Sequence, residues 1–206
     1  MKFLPYLTMM AMLAVASSAQ AISYDITSDH ATGGLGTAPF GTVTLTQSGA
    51  NVDVSVALNS GYQFVLTGAG DFQDFKFNAT GVALSDISIT QNAPGAGTLT
   101  ATTGTYNGDG TGLFGFGIAG STQQNGLAGG FSTPINFSIA NATIADLTQP
   151  NNLGILFVAD LYSASTGNTG PADVTTSTSV PDGGATVAML GAALVGLGSF
   201  RKMIRK

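Results

Sequence analysis

Residues 42–58 read TVTLTQSGANVDVSVAL, and this stretch decides the fold class. Apolar and polar residues alternate on both sides of a short turn, with the apolar positions at Val43, Leu45, Val52, Val54, Val56 and Leu58. A period of two is typical of a strand with one buried face. The intervening Ser48–Asn51 favours a turn. The stretch therefore predicts a β-hairpin.

Similar runs recur along residues 22–162, separated by turns rich in Gly and Asn. The positions that predict further strands are Tyr62 with Phe64, Phe75 with Phe77, Val82 with Leu84, Ile87 with Ile89 after a bulge near Asp86, Phe114 to Ile118, and Ile135 to Ile139. Ile155–Leu161 (ILFVADL) is apolar almost throughout and predicts a central strand buried on both faces. Eight or nine short antiparallel strands predict an all-β fold, an antiparallel β-sandwich of jelly-roll-like form.

The composition supports this fold class and excludes several functions. Charged residues make up 8% of the chain, against roughly 25% in an average soluble protein. Ten Asp and a single lysine, Lys76, lie between Ile22 and Val180, which gives that span a formal net charge of −9. One cation cannot neutralise a phosphate backbone, so nucleic acid is excluded as a partner. The absence of cysteine excludes disulfides and thiolate zinc sites.

The N-terminus has the pattern of a secretory signal peptide. Lys2 precedes an apolar run, and the run is followed by small residues that end in Ala19-Gln20-Ala21. A basic start, a short apolar stretch and a small-x-small end are the marks of this signal. We expect signal peptidase to accept Ala19 and Ala21 in its two small pockets, so that the mature chain begins at Ile22.

The C-terminus has three parts in a fixed order. Val180-Pro-Asp-Gly-Gly184 precedes an uncharged apolar stretch, 183–200, and a basic cluster of Arg201, Lys202, Arg205 and Lys206 ends the chain. As a helix the apolar stretch would reach about 27 Å, close to the thickness of a bilayer core. Basic residues beside a span stay in the cytoplasm, so the preceding domain is expected to face outward.

This tripartite tail resembles the PEP-CTERM class of bacterial sorting signals, in its Val-Pro-Asp-Ser-Gly variant. Gly183 stands here where that variant has Ser. The resemblance implies cleavage near Val180, Pro181, Asp182, Gly183 and Gly184 by an exosortase, a membrane transpeptidase-like enzyme. It also implies delivery to the cell surface or the extracellular matrix. Pro181 disfavours helix at Val180, which suits the extended backbone that a protease-like cleft accepts.

The sequence thus divides into four parts. Residues 1–21 are a signal peptide, 22–162 an outer β-sandwich domain, 163–179 a linker rich in Thr, Ser and Gly, and 180–206 the sorting motif, transmembrane helix and basic tail. The outer domain also resembles passenger domains that travel with such tails, over Phe40–Leu58, Gly61–Leu84 and Leu156–Pro171. That resemblance implies a shared fold and a surface role, and no activity.

Few residues of the outer domain suggest chemistry. His30 is the only histidine and is expected in a surface loop. Asp71 and Asp74 have the residue type of a glycosidase pair, but their Gly-rich surroundings favour turn aspartates that bond to their own backbone. The run from Asn107 to Thr111 is similar to part of a calcium loop without its further acidic ligands, and favours a β-turn. No cofactor is expected, although loop aspartates elsewhere leave calcium open.

Three functions stay open at this point. The first is a non-enzymatic structural protein of the cell surface or extracellular matrix, retained in or released to exopolysaccharide. The second is a lectin-like or adhesive module that binds surface polysaccharide, although the chain has no Trp and its Phe residues fall on core-facing positions. The third is a secreted hydrolase. The expected partners are signal peptidase, an exosortase-type enzyme and the membrane, with exopolysaccharide as a candidate.

The N-terminal pattern makes the first prediction. N-terminal sequencing of the exported protein should give Ile22 as its first residue, because signal peptidase cleaves after the second small residue of the pair. A chain that still starts at Met1 would mean that the apolar segment stays as an uncut anchor.

Overall fold

The computed structural model describes residues 20–67, 71–91, 94–121 and 126–174. Almost every regular element in them is a strand, and every strand pairing is antiparallel. The strands are β1 (Gln20–Ile26), β2 (Ser28–Asp29), β3 (Gly41–Ser48), β4 (Asn51–Leu58), β5 (Tyr62–Leu66), β6 (Phe75–Phe77), β7 (Ile87–Gln91), β8 (Leu99–Asn107), β9 (Leu113–Gly120), β10 (Gly126–Phe131), β11 (Ile135–Ile139), β12 (Phe157–Ser163) and β13 (Thr169–Val174). One short helix, α1, covers Ile144–Leu147.

The first sheet has the order β1-β3-β4-β11-β7. The predicted hairpin is its centre, with Val43 opposite Val56 and Leu45 opposite Val54. These side chains are buried, while the residues between them are partly or fully exposed. The period-two pattern therefore places one apolar face of this sheet against the rest of the domain.

The second sheet is built around β12. One edge of β12 pairs with β13, which in turn pairs with β2. The other edge is shared by two strands: β6 pairs with Phe157–Ala159, and β5 pairs with Leu161–Ser163. Beyond them, β9 and β8 follow β6, and β10 follows β5. The chain thus leaves this edge of β12 after β5 and returns to it at β6.

Aromatic side chains from both sheets meet in one core. Phe137 of the first sheet packs against Phe75 and Phe77 of the second, with ring centroids 6.2 and 5.3 Å apart. Tyr24 of β1 contacts Phe157 of β12 at 5.7 Å. The two layers and their shared core are what a β-sandwich requires. The antiparallel all-β class is confirmed, and the jelly-roll-like arrangement stays a prediction.

Two parts of the sequence fold differently from expectation. The strand predicted at Val82 and Leu84 is wrong: residues 84–86 form a 3-10 turn, and the strand begins at Ile87. The carboxylate of Asp86 accepts a hydrogen bond from the backbone N–H of Ala83, which closes the turn and prevents pairing there.

The predicted linker 163–179 is also partly wrong. Its middle forms β13, which is buried from Gly170 to Val174 and pairs with β12 along its whole length. The outer domain therefore extends at least to Val174. Polar Thr and Gly and a Pro suggest a linker, yet here they fill a strand that has neighbours on both edges.

The targeting segments lie mostly outside the described residues. These include Ala19, the sorting motif from Val180 to Gly184, the expected transmembrane helix and the basic cluster; Ala21 lies in β1 opposite Thr46. Within the described part of the chain, the model contains no helix with the length and apolar character needed to cross a bilayer.

The shared core makes the second prediction. Phe77 is fully buried and packs on Phe75, Phe116 and Phe137. The substitution Phe77→Ala should lower the free energy of unfolding by about 3–5 kcal/mol, because it leaves a cavity. Urea unfolding followed by circular dichroism measures this loss.

The matched control is Leu153→Ala, since Leu153 is 55% exposed. It should change the unfolding free energy by less than about 0.5 kcal/mol. Equal losses in the two variants would contradict the assignment of Phe77 to the core.

Candidate functional site

A charged cluster lies on the face of β12 that points away from the aromatic core. Phe157, Ala159 and Leu161 face the core, so Asp160 between them faces the other way. Asp160 lies between the part of β12 that pairs with β6 and the part that pairs with β5. Its backbone N–H donates a hydrogen bond to the carbonyl oxygen of Asp74, in the connecting segment, at 3.0 Å.

Lys76 is the cation of this cluster. Its neighbours Phe75 and Phe77 point into the core, so the lysine side chain leaves β6 on the opposite face. The Nζ atom lies 2.8 Å from Oδ1 of Asp160 and 3.3 Å from Oδ2 of Asp71. Lys76 and Asp160 have 0% exposed side-chain surface, and Asp71 has 5%. The three groups form a closed cluster.

The turn between β8 and β9 helps to cover the lysine. A Cβ atom added to Gly108 would lie 3.4 Å from Nζ of Lys76 and 2.8 Å from Oγ1 of Thr111. The backbone of the turn therefore approaches the cluster closely, and a side chain at position 108 would have to displace the Thr111 hydroxyl. The turn also confirms the prediction for residues 107–111, because the N–H of Thr111 donates to the carbonyl of Gly108 at 3.0 Å.

One further contact and the burial of Asp71 set the electrostatics of the cluster. The hydroxyl of Thr67 donates to Oδ2 of Asp160 at 2.6 Å, so both carboxylate oxygens of Asp160 have polar neighbours. Burial raises the pKa of Asp71, and the opposing effect of the Lys76 charge is smaller. The Asp71 carboxylate is thus more basic than an exposed one.

A second acidic group lies on the neighbouring strand. Asp173 of β13 is fully buried, and its Oδ2 contacts Nε2 of His30, whose side chain is 31% exposed. Burial raises the pKa of Asp173, and the hydrogen bond from His30 offsets only part of this rise. His30 also lines a polar cavity of about 530 Å³, together with Asn107, Asp109 and Pro171. His30 therefore lies in an exposed loop, as predicted, and its ring is in addition paired with the buried Asp173.

The interpretation of Asp71 and Asp74 as turn aspartates covers only part of their bonding, namely the hydrogen bond between the Asp71 carboxyl and the backbone of Gln73. Asp71 forms an ion pair with Lys76, and Oδ2 of Asp74 accepts a hydrogen bond from the backbone N–H of Gly120 at 2.9 Å. Both bind groups from other strands, because the segment that carries them folds over the second sheet. Nor do they act as a pair on one open surface. The described residues contain no group of three or more acidic or histidine side chains that could hold a metal ion.

Sequence reasoning missed the roles of Lys76, Asp160 and Asp173. Two signals were present: Lys76 alternates with two phenylalanines, and Asp160 interrupts the apolar run ILFVADL. A charge at an inward position of a two-sided strand needs a partner. The role of Asp173 had no such signal, since its strand resembled a linker.

The tail gives the functional assignment at the level of a class. A family model for the VPDSG-CTERM motif matches residues 179–204. The chain therefore carries a PEP-CTERM-like sorting motif of the kind that exosortases process, as the sequence predicted. Such a motif marks an exported protein that is sorted to the cell surface. No curated protein and no solved structure matches the chain.

The buried Asp173 makes the third prediction. Between its ordinary pKa and its raised pKa, the folded chain binds a proton that the unfolded chain has lost. The contribution of this group to stability is therefore present at low pH and is lost as the pH rises through the raised pKa. Asp173→Asn should reduce the slope of unfolding free energy against pH, measured by urea unfolding between about pH 4 and pH 7.

Asp53→Asn is the matched control, because it removes the same charge from an exposed position on β4. It should keep the wild-type slope. The same slope for Asp173→Asn and the wild type would show that Asp173 titrates alike in the folded and unfolded chains.

Proposed function

We propose that this protein is a non-enzymatic component of the cell surface or extracellular matrix. It is exported, cut by signal peptidase after Ala21, and processed by an exosortase within residues 180–184. The observation that carries the proposal is the match of the sorting-motif model to residues 179–204.

The end of the folded domain suits this processing. Strand β13 ends at Val174, and the matched motif begins at residue 179. A short Thr- and Ser-rich segment thus separates a buried strand from the scissile region.

The absence of catalysis is inferred from burial of the charged groups. Lys76, Asp160 and Asp173 have fully buried side chains and face one another or their neighbours. A general acid or base must reach its substrate within hydrogen-bond distance. Side chains closed in this way favour a structural role, and the net charge of −9 keeps such a domain soluble in a hydrated matrix.

The test is the C-terminus of the protein recovered from the surface of its native host, determined by mass spectrometry. We expect a C-terminus within residues 180–184, with the span missing or a new group attached. Asp182→Ala should leave the chain uncut, because it removes the acidic residue of the motif.

Thr176→Ala is the control, since it lies before the matched motif and should be processed normally. A wild-type C-terminus at Lys206 would contradict the proposal, and the protein would then be a permanently anchored one.

A further inference from the structure

The single lysine of the outer domain is buried on the face of the second sheet that points away from the aromatic core. Between Ile22 and Val180 no other Lys or Arg is present, and the side chain of Lys76 has no exposed surface. A lone cation in an acidic domain would normally be solvated at the surface. Here it is held at 2.8 Å from a carboxylate that is also fully buried.

We propose that Lys76 and Asp160 condense into an intramolecular isopeptide bond, with the Asp71 carboxyl transferring the protons. Lys76 first gives one proton to Oδ1 of Asp160, so that a neutral amine faces a neutral acid while Asp71 is still ionised. Nζ then attacks Cγ of Asp160, and the C–N bond forms. Asp71 takes a second proton from nitrogen and delivers it to the departing oxygen. An ammonium and a carboxylate thus become one amide and one water.

The register of the two strands brings the reacting atoms together. Lys76 lies opposite Val158, two residues from Asp160 on the same face of the sheet. Such diagonal positions are within reach of a long side chain. Cγ of Asp160 is one bond beyond the Oδ1 atom that lies 2.8 Å from Nζ, so the nitrogen needs only a short movement to reach the carbon. Fixing two groups in this way replaces the entropy cost of a bimolecular encounter.

The surroundings favour the neutral product over the ion pair. Two buried charges lose their hydration, and their attraction repays this cost only when hydrogen bonds complete the site. Beyond their mutual ion pair and the contact of Nζ with Asp71, neither Nζ of Lys76 nor Oδ1 of Asp160 has a hydrogen-bond partner among the described residues. Condensation removes both charges.

The neighbours supply the groups that the reaction needs. The Thr67 hydroxyl donates to Oδ2 of Asp160, where negative charge develops on attack. Oδ2 of Asp71 lies 3.3 Å from Nζ, close to the proton that must leave. Burial raises the pKa of Asp71, which makes its carboxylate a better acceptor for that proton before the proton is passed to oxygen.

The isolated lysine also gives a direct test. Full-length protein is purified, denatured and treated with trypsin, which cuts after free lysine or arginine. We expect the mass of the wild-type chain to be one water molecule below the mass calculated from its sequence. We also expect the chain to resist cleavage after residue 76. A wild-type chain of full mass that trypsin divides at Lys76 would overturn the proposal.

Lys76→Arg is the matched control. It keeps the positive charge and a trypsin site, but its guanidinium is not a nucleophile at this pH. This variant should have its full mass and give two large fragments. Loss of water that persists in Lys76→Arg would place the dehydration elsewhere, for example at Asp109-Gly110, and would also overturn the proposal.

The variant Asp71→Asn tests the proton-transfer role of Asp71 while leaving the reacting residues Lys76 and Asp160 unchanged. The variant keeps the size of the side chain and loses the titrating group, so cross-linking should be slowed or lost, with two fragments after trypsin. The loss of water is followed by intact mass in freshly synthesised chains of the wild type and the variant. Equal rates of water loss in the two chains would overturn the role of Asp71.

Discussion

The backbone ladder of β12 joins the parts of this domain. The strand pairs with β13 on one edge and with both β5 and β6 on the other. Its inner residues Phe157, Ala159 and Leu161 belong to the aromatic core that contacts the first sheet. A central strand must satisfy its hydrogen bonds along both edges. Strands β13, β5 and β6 together meet this requirement for most of the length of β12.

The detour explains why charges are found inside an otherwise apolar domain. The connection between β5 and β6 leaves the edge of β12, and its described residues, 67 and 71–74, lie against the second sheet. It carries Thr67 and Asp71 to the side chains of Lys76 and Asp160. The side chains of this cluster are shielded from solvent on the second sheet. A fully buried lysine is thus compatible with a low overall charge, because Asp160 of β12 and Asp71 of the connection both pair with it.

Local pattern was sufficient for much of the fold. Strands with large apolar residues at every second position, such as β4 and β11, were predicted at their observed places, since burial of one face dictates the pattern. Strand β8 was not predicted, because its sequence LTATTGTYN has few large apolar residues. Strand β13 was taken for a linker, because the burial of Thr169–Val174 depends on neighbours distant in sequence. The charged cluster joins residues from β6, β12 and the detour, and such a meeting depends on topology that no short stretch encodes.

Strand β13 has a mechanical consequence. Tension on the chain beyond residue 174 enters the domain at its last residue, Val174, which pairs with Phe157 of β12. Six register pairs join these two strands, and β2 grips the opposite edge of β13. A pull along the strand axis loads these hydrogen bonds together in shear, whereas a pull across the sheet would break them one after another. A force applied through the tail is therefore resisted by the paired strands β12 and β13, which must separate before the domain unfolds from this end.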